Sequence, residues 1–217
     1  MKKPRGRYHH GSLHDAALEA VARELDEHGH LGLTLERVAR RLGVTPSALY
    51  RHFENREALL RAFIWKGFLE FAARMDEAVR REAEPKRIVV AALRTYVEVS
   101  LENPGWFRLQ FSRVGASMSE RHQEQDLAYP AALQGAIGAL ARTDDQERIH
   151  DLYLLGWSVA HGLAGLGVEH VLGYLTTDLE RLALAERLLG EFADALGALA
   201  PAPPEPRPAK ARAKRRR

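Results

Sequence analysis

"LTLERVARRLGVTPSALYRHFENREALL", residues 33–60, decides the fold. Thr34 can cap a helix in which Leu35, Val38, Ala39 and Leu42 recur at i, i+3, i+4 and i+7, a single apolar face. Gly43 supplies a stop, Val44 fills the turn, and Thr45 caps a following helix. Pro46 takes that helix's first position, where its missing N–H costs nothing. The pattern is helix, tight glycine-containing turn, helix. Over residues 45–53, at about 100° per residue, Leu49 and Phe53 fall close together. Ser47, Ala48, Arg51 and His52 take the opposite face, with Tyr50 on its flank. A short helix docked by so narrow a strip presents its polar side outward, and a DNA major groove admits one helix of this width.

Reading outward, Leu13, Ala16, Ala17, Ala20, Val21 and Leu25 keep helical spacing after a cap at Ser12, and His28-Gly29 close that helix. Asn55 caps a long helix whose apolar positions, Leu59 to Val79, run up to the break at Pro85. Further helices are predicted over 86–102, 104–114, 120–141, 145–171 and 178–199, with turns at Asn103-Pro104-Gly105 and Gly115 to Ser119. The chain is predicted to be all-α: a three-helix head joined by a long helix to a helical bundle. Its divisions are a basic arm (1–11), a helix-turn-helix domain (12–54), a ligand-binding and dimerisation body (55–199) and a disordered Pro-rich basic tail (200–217).

Charge follows the same plan. Residues 1–66 carry a net +4, residues 67–200 a net −7 and residues 201–217 a net +6, for +3 in all. A basic head and tail around an acidic body suit a polyanion that touches the ends. The absence of cysteine removes disulfides and thiolate metal sites and fits a reducing, cytoplasmic setting. "LYLLGWSVAHGLAGLGV", residues 152–168, is apolar but short and closely flanked by Asp151 and Glu169, so it reads as a buried helix and no membrane partner is expected. None of the nucleotide-binding, nucleophile-elbow or zinc-protease motifs occurs. His9 and His10 lack fixed partners, and His150 and His161 lie about three turns apart, too far to share a metal. No enzyme activity, cofactor or metal is expected.

The 33–60 stretch, with Thr34, Gly43-Val44, Leu49-Tyr50, His52-Phe53 and Leu59-Leu60, resembles the tetracycline-repressor (TetR) family of bacterial transcription regulators. "YHHGSLHDAALEAV", residues 8–21, strengthens the likeness, and Trp157, His161 and Gly162 resemble the WHG signature of one type of C-terminal domain in that family. The resemblance implies a homodimer with a DNA-binding head and an effector-binding body. It implies groove contacts to double-stranded DNA from Thr45, Ser47 and Ala48, and phosphate contacts from Tyr50, His52 and Thr34. Arg56 stands where many members have Lys and keeps the charge. Arg51 is added from its outward angle, since Arg can read guanine with two bonds.

In the body the resemblance gives a location only, between the bundle helices near the long helix. Candidate contacts to an unknown small-molecule effector are Phe68, Phe71, Trp106, Phe107, Phe111, Trp157 and His161. A dimer interface is expected on the last two helices: Gly156, Ala160 and Ala164 repeat at i+4 and would let two backbones approach, with Leu182, Leu189 and Phe192 adding apolar area. The function expected is a one-component repressor released from a palindromic operator by its effector. The rival is a helix-turn-helix protein whose body, filled by its own side chains, binds a protein instead.

Overall fold

A computed structural model describes residues 10–118, 121, 125, 127–175 and 177–199. The predicted basic arm (but for its last two residues) and the Pro-rich tail lie outside them. Ten helices are described: α1 (His10–Gly32), α2 (Leu35–Leu42), α3 (Pro46–Tyr50), α4 (Arg56–Arg80), α5 (Pro85–Glu102), α6 (Pro104–Gln110), α7 (Arg113–Ala116), α8 (Tyr129–Ala141), α9 (Gln146–Val168) and α10 (Asp178–Ala198). No strand occurs among the described residues.

Local chemistry sets most of the boundaries. Thr34 accepts the Arg37 N–H at 3.2 Å and Asn55 accepts the Ala58 N–H at 2.8 Å, each meeting an otherwise orphaned donor of a first helical turn. Gly43 closes α2 at φ 67°, a left-handed conformation that glycine adopts without steric cost. Gly29 also has a positive φ of 65° and interrupts α1 where the sequence places its stop, although one further turn runs to Gly32. Pro85 and Pro104 begin α5 and α6 rather than ending their neighbours, and Thr177 with Glu180 forms a reciprocal capping box on α10.

Several expected boundaries move. α1 begins at His10, ahead of the Ser12 cap. The helix expected over 45–53 is regular only to Tyr50; the Leu49 carbonyl then takes the N–H groups of both His52 and Phe53, at 2.8 and 2.9 Å. The helix expected over 104–114 is two. Ser112 breaks it, donating to the Leu109 carbonyl at 2.6 Å and accepting the Val114 N–H at 3.2 Å, so its side chain competes with the backbone ladder. Gly115, expected in a turn, lies inside α7 and packs so closely on the Gln110 backbone that a Cβ would collide with its carbonyl. Within the helix expected over 120–141, α8 runs from Tyr129, with Pro130 in its first turn, and α9 stops at Val168 rather than 171.

Two cores result. In the head, Val21, Leu33, Val38 and Leu49 pack with Phe53 and with Leu59, Leu60 and Ile64 from the first turns of α4. Leu109 of α6 and Met118, distant in sequence, complete that head core. In the body α5 is the axis, with α4, α8, α9 and α10 packed on it. Phe71, Leu93, Tyr96, Trp106, Ile137 and Leu189 belong to its core.

Candidate nucleic-acid face and body cavity

The α2–turn–α3 unit is held from behind. Leu49 is fully buried and Phe53 is 3% exposed. Glu24 on α1, itself buried, accepts Arg37 Nε at 2.9 Å and Arg41 Nε at 2.6 Å, clamping α2 onto α1. Burial opposes the charge on Glu24, but the hydrogen bonds from Arg37 and Arg41 outweigh it and hold the carboxyl below its ordinary value. Glu24, Glu27 and His28 lie close enough to hold an ion, yet both carboxylates are already paired with arginine. No sequence periodicity announces this clamp.

With α3 so fixed, Thr45, Ser47, Tyr50 and Arg51 are exposed. Thr45 sits at the cap position but its hydroxyl makes no capping bond. Tyr50 Oη donates to Glu36 at 3.1 Å, which joins α3 to the start of α2 beside Thr34 and raises the phenol's pKa. Ala48 and His52 are only half-exposed: Ala48 packs on the head core, and the His52 ring lies 6.4 Å from that of His14. Arg56 donates from Nε to the Leu33 carbonyl at 2.8 Å, fastening α4 to the loop before α2. Thr34, Thr45, Ser47, Tyr50 and Arg51 thus all reach the surface of the head. His52 and Arg56 have partly structural tasks.

The body contains a cavity of about 720 Å³ between α4, α5, α6, α8 and α9. Of the seven predicted contacts, Phe68, Phe71, Trp106, Phe111 and Trp157 line it. Phe107 and His161 do not; they stand behind Phe111, with ring centroids 5.3 and 4.5 Å from it. His161 Nδ1 lies 2.9 Å from Tyr96 Oη, and Tyr96 does line the cavity. Burial pushes the His161 pKa down and the Tyr96 pKa up, so this pair is neutral near pH 7. Tyr96, Tyr129 and Tyr153, absent from the expectation, supply the phenol groups of the lining. Their signal was a tyrosine set into an otherwise apolar buried stripe, where its hydroxyl needs a partner.

A larger trough of about 1170 Å³ runs between α4, α5 and α10, but it is lined mostly by charged side chains. Arg94 meets Glu98 and Glu186 across it at 3.6 and 3.5 Å, so its charges already answer one another.

The expected interface residues require correction. Ala160, Ala164 and Leu189 have no exposed surface, and Gly156 is buried. The small side chains do mark a close helix approach, but within one protomer: a Cβ on Gly156 would lie 3.0 Å from the Phe192 ring and 3.5 Å from Leu93. Phe192 and Leu182 are half-buried against that same core. The apolar residues exposed on these two helices are different ones, Leu154, Leu155, Trp157 and Leu166 on α9 and Leu179 and Leu188 on α10, followed by Leu199.

Residues 17–63 match the family model described as "Bacterial regulatory proteins, tetR family", and residues 89–192 match that of the "Tetracyclin repressor-like, C-terminal domain". An HTH-type transcriptional regulator of Bacillus subtilis, YobS, is 23% identical over 108 residues, 50% of this chain and 56% of YobS. The chain thus spans little more than half the length of that curated relative. A TetR-family transcription regulator from Marinobacter aquaeolei VT8 superposes with a TM-score of 0.61 at 20% identity, over 84% of this chain and 95% of the other. A regulatory protein of the tetR family from Rhodococcus RHA1 gives 0.62 at 16% identity, over 88% and 98%. At these identities the two structures share a fold.

Proposed function

Because the chain belongs to the TetR family of bacterial transcription regulators, with a DNA-binding helix-turn-helix head, we propose that it is a one-component repressor, acting in the cytoplasm, that holds a palindromic operator as a homodimer and releases it when a small molecule fills the body cavity. The family is one of regulators rather than enzymes. No helix among the described residues is long and apolar enough to cross a membrane.

One observation carries the reading: α6 is shared by cavity and head. Trp106 and Gln110 line the cavity, while Leu109, between them, is 1% exposed in the head core. Trp106 Nε1 also donates to the Ile64 carbonyl of α4 at 3.1 Å, and Ile64 belongs to the same head core. A molecule seated against Trp106 would press on an element wedged into the head. If it binds better to one head spacing than to the other, it shifts the population by that difference and no more. The cavity also favours this reading over a body packed solid for a protein partner, because a ligand-sized space of mostly apolar lining stands open.

Dimerisation is assigned to the outer faces of α9 and α10, where Leu155 and Leu166 flank Ser158 and Gly162 on one helix and Leu188 and Leu199 lie along the other. A two-fold axis there would pair each stripe with its copy and fix the separation of two recognition helices. The groove contacts of the operator complex are assigned to Thr45, Ser47, Ala48 and Arg51, and the phosphate contacts to Thr34, Tyr50, His52 and Arg56. Footprinting of the full chain on the DNA upstream of its own gene tests the reading. Two protected half-sites one helical turn or a multiple apart are expected. Protection of a single half-site, or none, would overturn it.

A further inference from the structure

We infer that the body cavity takes a neutral, planar aromatic molecule bearing an oxygen hydrogen-bond acceptor, an inference that rests on the effector reading above and names its ligand class. Among the described residues the lining holds no lysine, arginine, aspartate or glutamate. Against these residues an ionised ligand would shed its hydration with no countercharge, at a cost of several kcal/mol or more. The Asp76 carboxylate accepts the backbone N–H of the lining residue Tyr129 at 2.7 Å, which makes the site still less suited to an anion. Size and shape agree with a compact ring system. The volume, about 720 Å³, lies in the range of drug-sized ligands, and its walls are flat rings. Phe71 stacks on Trp106 at 5.8 Å and meets Tyr96 and Tyr129 edge-on at 5.7 and 6.1 Å. Rings set both parallel and perpendicular leave slots that a flat aromatic fills with stacked and edge contacts, whereas a flexible chain fills them poorly.

The polar groups say what the ligand carries. Among the described residues the Tyr96 hydroxyl is engaged with His161, while the hydroxyls of Tyr129 and Tyr153 bond to no other described residue. Burial raises the pKa of both phenols, so they stay protonated at neutral pH and act as donors. Two phenolic donors in the lining, which also holds Gln110, Gln125 and Gln134, suit a carbonyl or ether oxygen.

The probes are flavone, which is neutral, planar and ketone-bearing; flavone-8-acetic acid, the same rings with a carboxylate; and laurate, an anionic chain. Binding to the full chain is read by quenching of tryptophan fluorescence, since Trp106 and Trp157 line the cavity, and by thermal shift. Saturable flavone binding is expected, with the acid at least about tenfold weaker. Tyr129→Phe and Tyr153→Phe should each lower flavone affinity about two- to tenfold, the worth of one neutral hydrogen bond, without changing the fold. Laurate or the acid binding more tightly than flavone, or both Phe variants binding flavone like the parent, would overturn the ligand class. If laurate then released operator DNA, the repressor reading would survive its loss. If no probe bound and none altered operator binding, both readings would fall.

Discussion

Gly67→Ala tests the joint between cavity and head most directly. Gly67 lies in the middle of α4, and a Cβ there would stand 2.8 Å from Trp106 Cγ and closer still to Cδ1 and Nε1. Three effects compete. Alanine is the better helix former by about 0.8–1.0 kcal/mol. Against this, forcing a methyl into a packed contact costs about 1–3 kcal/mol. Trp106 cannot yield freely, being 7% exposed and tied through Nε1 to the Ile64 carbonyl; breaking that bond adds about 0.5–1.5 kcal/mol. Overpacking wins, leaving a net loss of about 1–3 kcal/mol, and each kcal/mol lowers Tm by about 2–4 °C in a chain of this size. Gly135→Ala in α8, where an added Cβ meets nothing within 4 Å, is the control and should gain stability. Urea unfolding of both variants, followed by tryptophan fluorescence, gives the comparison. If Gly67→Ala is stabilised like Gly135→Ala, Trp106 is not held against α4, and the route from cavity to head fails with it.

Arg51→Ala should weaken operator binding about 5- to 150-fold, the worth of a bidentate base contact, with helicity unchanged; unchanged affinity in a gel-shift titration would make Arg51 a solvated residue. Leu49→Ala, by contrast, should destabilise the head by about 2–5 kcal/mol in thermal unfolding. Glu24 has a depressed pKa in the folded head, so its contribution is complete above the ordinary carboxylate range and is lost as pH falls through the lower folded value. Glu24→Gln should therefore lower stability at pH 7 and flatten its acid dependence, and a parallel loss at every pH would show that the charge is not what matters. Leu155→Arg with Leu188→Arg should yield folded monomers in sedimentation at low micromolar concentration, whereas Ala160→Trp should misfold the body; the reverse pattern would return the interface to the small-residue face.

What the sequence discloses depends on how local the cause is. Caps, proline starts and the left-handed glycine at Gly43 act within a few residues, so the α2–turn–α3 unit and the exposure of Ser47, Tyr50 and Arg51 were legible from residues 33–60, while the half-burial of Ala48 and His52 was not. Leu109 entering the head core was not, because a single leucine at helical spacing says that it is buried but not against what. The same gap explains the misplaced interface. Gly156, Ala160 and Ala164 correctly announce a close approach, yet spacing alone does not distinguish a helix of the same chain from one of its copy. Five of the seven predicted contacts line the cavity because large aromatics near the long helix have few places to go. The tyrosines were passed over because they look like ordinary core until their hydroxyls are traced.

The break at Ser112 bears on how binding would reach the DNA. Had residues 104–114 formed one continuous helix, Phe111 and Val114 would belong to one rigid rod, and pressure in the cavity would rotate the whole of it. Instead Ser112 ends α6 and caps α7, leaving two short helices joined by a serine turn. Trp106 and Phe111 face the cavity from one side of that joint, while Val114 and Met118 meet the head core beyond it. A short helix has few backbone bonds to break and a turn on each side to absorb rotation, so it can shift against α4 at lower cost than a long one. Tightly packed interfaces hold discrete arrangements and do not deform continuously. Seating a flat ring against Trp106 would accordingly favour a second register of α6 and α7 against the head. The head would follow as a unit, because the Glu24 clamp and the buried Leu49 bind its three helices into one body.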